Sequence, residues 1–314
     1  MELKNKRVYI TGRNGFLGTN LRNYLEKKNV NVFVPKSKDY DLGKFEDAQR
    51  ILSESKADVV IHAAADTGGI EYNRLYPADV FRNNLNMATN VLEVAKRNNV
   101  EKVVLISSAC AYPGYIEGEL KEENILNGPM HESVDVYGFA KRALYLGARA
   151  YKQQYGLDSI FLVLSHIYGP YDKYDPEEKE SHVLAAFIRK FIKAKQNGDK
   201  EVVCWGTGKP IREFLYIEDC AEAIYLATES YDKLEPLNIG AGTGITVKEL
   251  AEIIREMVKF TGEIVWDTSK PDGALRKVLS IDKIQRELGW QPKTELREGI
   301  QKTIEWCLKE GVFD

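Results

Sequence analysis

The chain predicts an α/β fold, a doubly wound parallel sheet with a smaller α/β lobe, and three observations carry that expectation. Arg7-Val-Tyr-Ile10 is a short β-branched and aromatic run that passes through Thr11-Gly12-Arg13-Asn14-Gly15-Phe16-Leu17-Gly18 into an amphipathic helical pattern ending near Lys28. Apolar runs at 57–62 and 102–106 lack polar alternation, which suits strands covered on both faces. Helical patterns separate the strands through residue 165, and the alternation then loosens. The expected partition is a dinucleotide-binding unit from 1–165 and 213–240 and a substrate-binding lobe from 166–212 and 241–314.

With 314 residues and 44% hydrophobic content the chain can bury a sizeable core. Net charge is −3 and the Lys and Arg residues are scattered, so no basic face argues for nucleic acid. No apolar run approaches the roughly 18 residues of a membrane span, and Met1-Glu2-Leu3-Lys4 opens no apolar leader, so a cytoplasmic protein with no membrane partner is expected. Cys110, Cys204, Cys220 and Cys307 lie far apart in no metal-ligand or Cys-x-x-Cys spacing. Reduced thiols and no metal are expected.

In the first turn, Gly12 suits a tight bend, Gly15 lets backbone N–H groups approach a pyrophosphate at the helix start, and Gly18 lets helix and strand pack closely. A plain glycine-rich βα turn has the same letters, but the strand-to-helix context favours a dinucleotide. The second strand, Asn31-Val-Phe-Val34, bears on which one. An NAD site usually ends this strand with Asp or Glu to bond the ribose 2′-hydroxyl; here Pro35-Lys36-Ser37-Lys38 follows, and Arg13 stands in the turn. That charge suits a 2′-phosphate, so NADP(H) is expected over NAD(H), although a solvated loop would carry the same lysines. Asp41 and Leu42, together with Asn14, Phe16 and Leu17, are assigned to the cofactor edge.

The third strand, Ala57 to His62, ends in Ala63-Ala64-Ala65, small enough for a cofactor to lie close, with His62 expected as a bonded core histidine. A loop from Asp66 to Asn73 and a helix over 78–98 follow. The fourth strand, Lys102 to Ile106, delivers Ser107, Ser108 and Cys110 to the carboxyl edge, where ligands of open α/β sheets bind. Ser/Ala/Cys runs are also ordinary at strand ends. Tyr137 and Lys141 stand four residues apart in a helical segment and so share a face. A lysine beside a tyrosine disfavours the neutral phenol, which brings proton transfer closer to neutrality than the reference value of about 10 allows. The same spacing also arises by chance in a chain with 17 tyrosines. Beyond Pro170 the expected elements are a helix over 181–196, a turn-rich stretch from Trp205 to Arg212, core elements at 213–217 and 219–229, a helix through Phe260, a strand at 263–266 and a helix over 296–309.

Thr11-Gly12-x-x-Gly15-Phe-Leu-Gly18, His62-Ala-Ala-Ala65, the Ser108 segment and Tyr137-x-x-x-Lys141 together resemble the extended short-chain dehydrogenase/reductases that act on nucleotide sugars, on a Rossmann fold. Gly68-Gly-Ile-x-x-Asn73, Cys110-x-Tyr-Pro113, Ser181-His182-Val183, Trp205-Gly-x-Gly-x-Pro-x-Arg-Glu-Phe214 and Ser269-Lys-Pro-Asp-Gly273 narrow the resemblance to the GDP-L-fucose synthases, bifunctional 3,5-epimerase/4-reductases of GDP-4-keto-6-deoxy-mannose. The resemblance implies that Ser108 bonds the C4 oxygen and that Tyr137 protonates it. It implies that Lys141 orients the nicotinamide ribose, and that Cys110 and His182 serve as base and acid at C3 and C5. It further implies substrate contacts from His166, Val183, Lys190, Trp205, Arg212 and Lys277, and a homodimer joined through the 78–98 and 137–155 helices. His166 stands where the family usually has Asn, and Asp66-Thr67 where it has Lys-Val; some members carry Arg at Lys190. These departures bear on which GDP-sugar is taken, hexose or heptose.

A 4,6-dehydratase would place an Asp-Glu pair where Ala109-Cys110 stands, a simple 4-epimerase would keep NAD and its acid after Val34, and a non-enzymatic sensor of the nicotinamide pool would have lost Tyr137 or Lys141. A 4-reductase that does not epimerise shares every cofactor residue and stays open.

Overall fold

Successive strand residues face opposite sides of a sheet, and the central strands divide their apolar side chains into two cores accordingly. The computed structural model describes residues 1–35, 40–177 and 180–313. The first half alternates as β1 (Arg7–Thr11), α1 (Phe16–Lys27), β2 (Asn31–Phe33), α2 (Phe45–Ser55), β3 (Val59–His62), α3 (Ile70–Leu75), α4 (Pro77–Arg97), β4 (Lys102–Ser108), α5 (Asp135–Tyr155) and β5 (Ser159–Leu164). The second half continues with β6 (His166–Tyr168), α6 (Val183–Asn197), β7 (Glu201–Trp205), β8 (Ile211–Arg212), β9 (Phe214–Tyr216), α7 (Ile217–Ser230) and β10 (Leu237–Ile239). It closes with β11 (Ile245–Thr246), α8 (Val247–Val258), β12 (Glu263–Asp267), β13 (Arg276–Lys277), α9 (Asp282–Leu288) and α10 (Leu296–Lys309).

Among the described residues the main sheet has the order β10-β5-β4-β3-β1-β2, every neighbouring pair parallel. The order reverses between β1 and β3, which opens a crevice at their carboxyl ends. Val8, Ile10, Val59, Ile61, Val104 and Ile106 face one core; Tyr9, Val60, Val103, Leu105, Phe161 and Val163 face the other. Full burial of such side chains contributes about 1.5–3 kcal/mol each. The first core runs on into Phe187 and Phe191 of α6 and Leu250 and Ile254 of α8, so the second-half helices share one sheet face's apolar interior. Smaller sheets pair β6 with β9, β7 with β12, and β8 with both β11 and β13. No helix among the described residues is long and apolar enough to cross a membrane.

Two buried polar side chains tie distant segments. Lys102 Nζ donates to the carbonyls of Thr228 and Tyr231 at 3.1 and 3.2 Å and to Asp232 at 2.6 Å, satisfying the C-terminal end of α7 from the start of β4. The Glu213 carboxylate accepts backbone N–H groups from Leu279 and Gly242, each at 3.0 Å.

The structure departs from the sequence expectation at several ends. β4 runs to Ser108 because Ser107 and Ser108 keep pairing with Val163 and Leu164, a backbone ladder that does not need apolar side chains. Within the expected 66–73 loop, α3 begins at Ile70, and the Asn73 amide bonds the Gly69 carbonyl at 3.0 Å. α6 starts at Val183, which leaves His182 extended at its N-cap.

Candidate active site

The turn between β1 and α1 is set by backbone contact. Gly12 has φ +67°, and a Cβ there would come within 2.8 Å of Ala64 Cα, so the turn lies directly on the segment after β3. Thr11 Oγ1 accepts from Ala64 N at 3.0 Å and bonds His62 Nδ1 at 2.9 Å, which makes His62 the bonded core histidine that the sequence suggested. Gly15 caps α1 with no side-chain hydrogen bond, leaving the first-turn amides to a ligand. Gly12, Gly15, Phe16, Leu17, Gly18 and Ala63 to Ala65 line one end of a cavity of about 570 Å³. The Ser107 and Ser165 hydroxyls, buried and unpartnered, also face it. A glycine turn laid on small residues, free helix-start amides and unpaired donors fit a dinucleotide. Arg13, Asn14 and Leu42 are not among the residues that line the cavity. Asp41 lines an adjoining cavity that shares Ala65 and Met87 with the first. Lys36 and Lys38 lie outside the described residues.

The middle of the cavity is built by α5 against the end of β4. A short 3-10 turn, Ala109–Ala111, follows Ser108, whose hydroxyl oxygen accepts from Cys110 N at 3.2 Å. Arg142 donates to the Ala111 and Gly128 carbonyls at 2.6 and 2.7 Å and locks that turn to α5. Gly138 has no room for a side chain, since a Cβ would strike the Cys110 carbonyl. This close approach brings Tyr137 and Lys141 beside Cys110, all three lining the cavity with Ser108.

Lys141 Nζ donates to the Ile106 carbonyl at 3.0 Å and sits 5.6 Å from the Tyr137 ring centre. The electrostatics correct the sequence expectation of a more acidic phenol. Burial, then Cys110, push Tyr137 upward against a hydrogen bond with Thr67, while burial pulls Lys141 down to about 8, opposed by Cys110. Desolvation outweighs the helical neighbour, so the phenol is protonated at neutral pH.

The far end of the cavity holds His166, His182, Val183, Lys190, Trp205, Arg212 and Lys277. Arg212 donates to the carbonyls of Ile211 and Asp272 at 2.9 and 3.1 Å, and burial lowers it to about 10. Lys190 and Lys270 place their ammonium groups 5.6 and 4.9 Å from the Trp205 ring. His166 Nδ1 is buried without a partner; burial first, then Arg212, Lys277 and His182, keep this ring neutral. Burial, then Lys173, likewise lower His182. Lys277 Nζ approaches Cys110 Sγ at 3.4 Å. Sequence reasoning placed Thr67 on the substrate side only as a departure from the family pattern, and gave no site role to Ser133 or Asp172, which also line the cavity, nor to the Glu213 carboxyl. Only Glu213 left a signal, a lone acid opening the apolar run to Ile217.

A family model described as the NAD dependent epimerase/dehydratase family matches residues 8–240. The chain is 40% identical over 311 residues to the "Probable GDP-L-fucose synthase 1" of Oryza sativa subsp. japonica, covering 98% of this chain and 94% of that one. A GDP-6-OMe-4-keto-L-xylo-heptose reductase from C. jejuni superposes with a TM-score of 0.90 at 30% identity, covering 98% and 99% of the two chains. A GDP-L-fucose synthetase from Naegleria fowleri bound to NADP superposes at 0.88 with 28% identity, covering 98% and 96%. With the reversed strand order, the glycine turn and the Tyr137–Lys141 pair all falling within the matched span or at its edge, this chain belongs to the NAD dependent epimerase/dehydratase family.

Proposed function

We propose that the protein catalyses NADPH-dependent 3,5-epimerisation and 4-keto reduction of a GDP-4-keto-6-deoxy-sugar, giving GDP-L-fucose or a close relative. The observation that carries this reading is a single cavity in which the glycine turn, Tyr137, Cys110, His182 and Arg212 meet. The fucose synthase relative and the NADP-bound neighbour support the substrate class and the cofactor. We assign 1–165 and 213–240 to the dinucleotide unit and 166–212 and 241–314 to the sugar-nucleotide lobe; the pairing of β10 with β5 supports that discontinuity.

NADPH supplies the hydride for C4. A keto group at that carbon acidifies the protons on C3 and C5; Cys110 takes the carbon-bound proton, and His182, protonated from solvent, gives a different proton to the opposite face. Burial keeps His182 neutral before substrate enters, and the enolate formed beside it is the charge that favours its protonated form. Ser108 already accepts from Cys110 N, which leaves its hydroxyl hydrogen to bond the C4 oxygen. The buried, protonated phenol of Tyr137 is the form that donates to the developing C4 alkoxide, and the ammonium of Lys141 then faces the phenolate. Arg212 and Lys190 face the diphosphate, a role that an arginine fork suits.

Cys110→Ser is expected to suppress epimerisation by about 10²–10⁴-fold while NADPH consumption continues, so that the product is a 4-reduced sugar of unchanged C3 and C5 configuration. Full epimerisation by the serine variant at the unmodified rate would mean that another group is the base.

For the cofactor, Lys36 and Lys38 are assigned to the 2′-phosphate with Arg13. Alanine at both lysines should weaken NADPH binding and spare NADH in fluorescence titrations; equal weakening of the two would remove the assignment.

We further propose a homodimer through the outer faces of α4 and α5, supported by exposed Phe81 and Phe139, stacked with ring centres 6.2 Å apart, and exposed Leu146. Light scattering at micromolar concentration should give twice the chain mass, with Phe139→Asp shifting it toward the monomer. A monomer in the unmodified protein contradicts the proposal.

A further inference from the structure

We infer that Lys277 is a positioning residue for the proposed epimerisation base, its ammonium holding Cys110 as a thiolate ready to take a carbon-bound proton. This rests on the reading of Cys110 as that base and adds what makes a cysteine competent for it. The thiolate, not the thiol, accepts a proton, and free cysteine is mostly thiol at neutral pH. The Lys277 ammonium lies 3.4 Å from Cys110 Sγ across 167 residues of sequence.

The contact is built rather than incidental, because the backbone carrying Lys277 is pinned from three sides. β13 pairs in parallel with β8, with Lys277 opposite Arg212. The Lys277 carbonyl accepts from Glu213 N at 3.3 Å, and two residues on Leu279 N donates to the buried Glu213 carboxylate. From the other unit, Leu120 N donates to the Val278 carbonyl at 2.8 Å, and Ser280 N donates to the Leu120 carbonyl at 3.1 Å. Cys110 is fixed in turn by Arg142 and the bare face of Gly138. Nζ and Sγ are therefore brought together by two rigid elements, one from each lobe.

Lys277 contacts Cys110, and Arg212, Lys141 and the phenol of Tyr137 lie close enough to feel the charge of the cysteine. Arg212 is bonded to the Ile211 and Asp272 carbonyls and Lys141 to the Ile106 carbonyl, whereas Lys277 touches the sulfur. An opposite charge within about 4–6 Å favours the ionised form. In the proposed step the thiolate takes the C–H proton and becomes a thiol, the bonding pair moves onto the C4 oxygen as enolate, and His182, protonated from solvent as the enolate forms, supplies a proton to the opposite face of that carbon.

The test is alkylation of the ligand-free protein by iodoacetamide, in which the thiolate forms an S–C bond and releases iodide, followed by mass spectrometry of the Cys110 peptide. Cys204, Cys220 and Cys307 are buried and report on folding. Lys277→Met should slow modification of Cys110 about tenfold near pH 7, the deficit should close near pH 9.5 where free thiols ionise unaided, and Lys277→Arg should stay within about threefold of the unmodified protein. An unchanged rate in Lys277→Met, a deficit that persists at high pH, or equal slowing in the arginine variant overturns the inference. Lys277→Gln replaces the methionine variant if that one exposes the three buried cysteines. If Lys277→Met slows alkylation but leaves solvent exchange at C3 and C5 untouched, the contact stands and the assignment of Cys110 as base falls.

Discussion

Lys141 reaches the Ile106 carbonyl at 3.0 Å only because α5 lies almost against the backbone that follows β4. That approach needs a glycine at 138 and is held by Arg142 on the Ala111 carbonyl. Its consequences spread through the whole site. It buries the tyrosine and the lysine together, it fixes the 3-10 turn that presents Cys110, and it leaves the Ser108 hydroxyl facing the same space. Desolvation then sets the protonation states: a neutral phenol ready to give a proton and an ammonium drawn down to about 8. These are the protonation states that the proposed roles of Tyr137 and Lys141 require, and packing alone sets them.

The proposed epimerisation depends on how the segments bearing β8 and β13 are attached. Their apolar contribution is continuous with one face of the main sheet, and the Glu213 carboxylate gathers backbone donors from Gly242 and Leu279 around Arg212 and Lys277. Burial raises the Glu213 carboxyl to about 8, while the N–H groups it accepts favour the ionised form. Two cations are thus placed on a scaffold with little freedom to move, one bonded to carbonyls and one to the sulfur across the cleft.

Much of the fold was legible because buried parallel strands write themselves as unbroken apolar runs, as at 57–62 and 102–106, and because the glycine turn has to follow a strand. The two-residue strands β8, β11 and β13 were not, since a period of two needs more than two residues to be seen. α3 was hidden by the Gly68-Gly69 pair that precedes it, and α2 was not singled out. Among site residues the sequence named those that meet in the cavity, from Ser108 to Lys277, but not what each one touches. The spacing of Tyr137 and Lys141 gave their shared face; the direction of the phenol's shift is a property of what packs over it. Lys277 was named only by resemblance, as a substrate contact, and its contact with Cys110 is a tertiary fact that no local pattern encodes.

The central claim, that one site both exchanges the carbon acids and reduces the ketone, is tested most directly by turning over GDP-4-keto-6-deoxy-mannose with NADPH and the unmodified enzyme in D₂O and determining the product by NMR. The account predicts a GDP-6-deoxy-L-sugar carrying deuterium at both C3 and C5. A C4-reduced D-manno-type product with no deuterium at either carbon would contradict it and leave a simple 4-reductase.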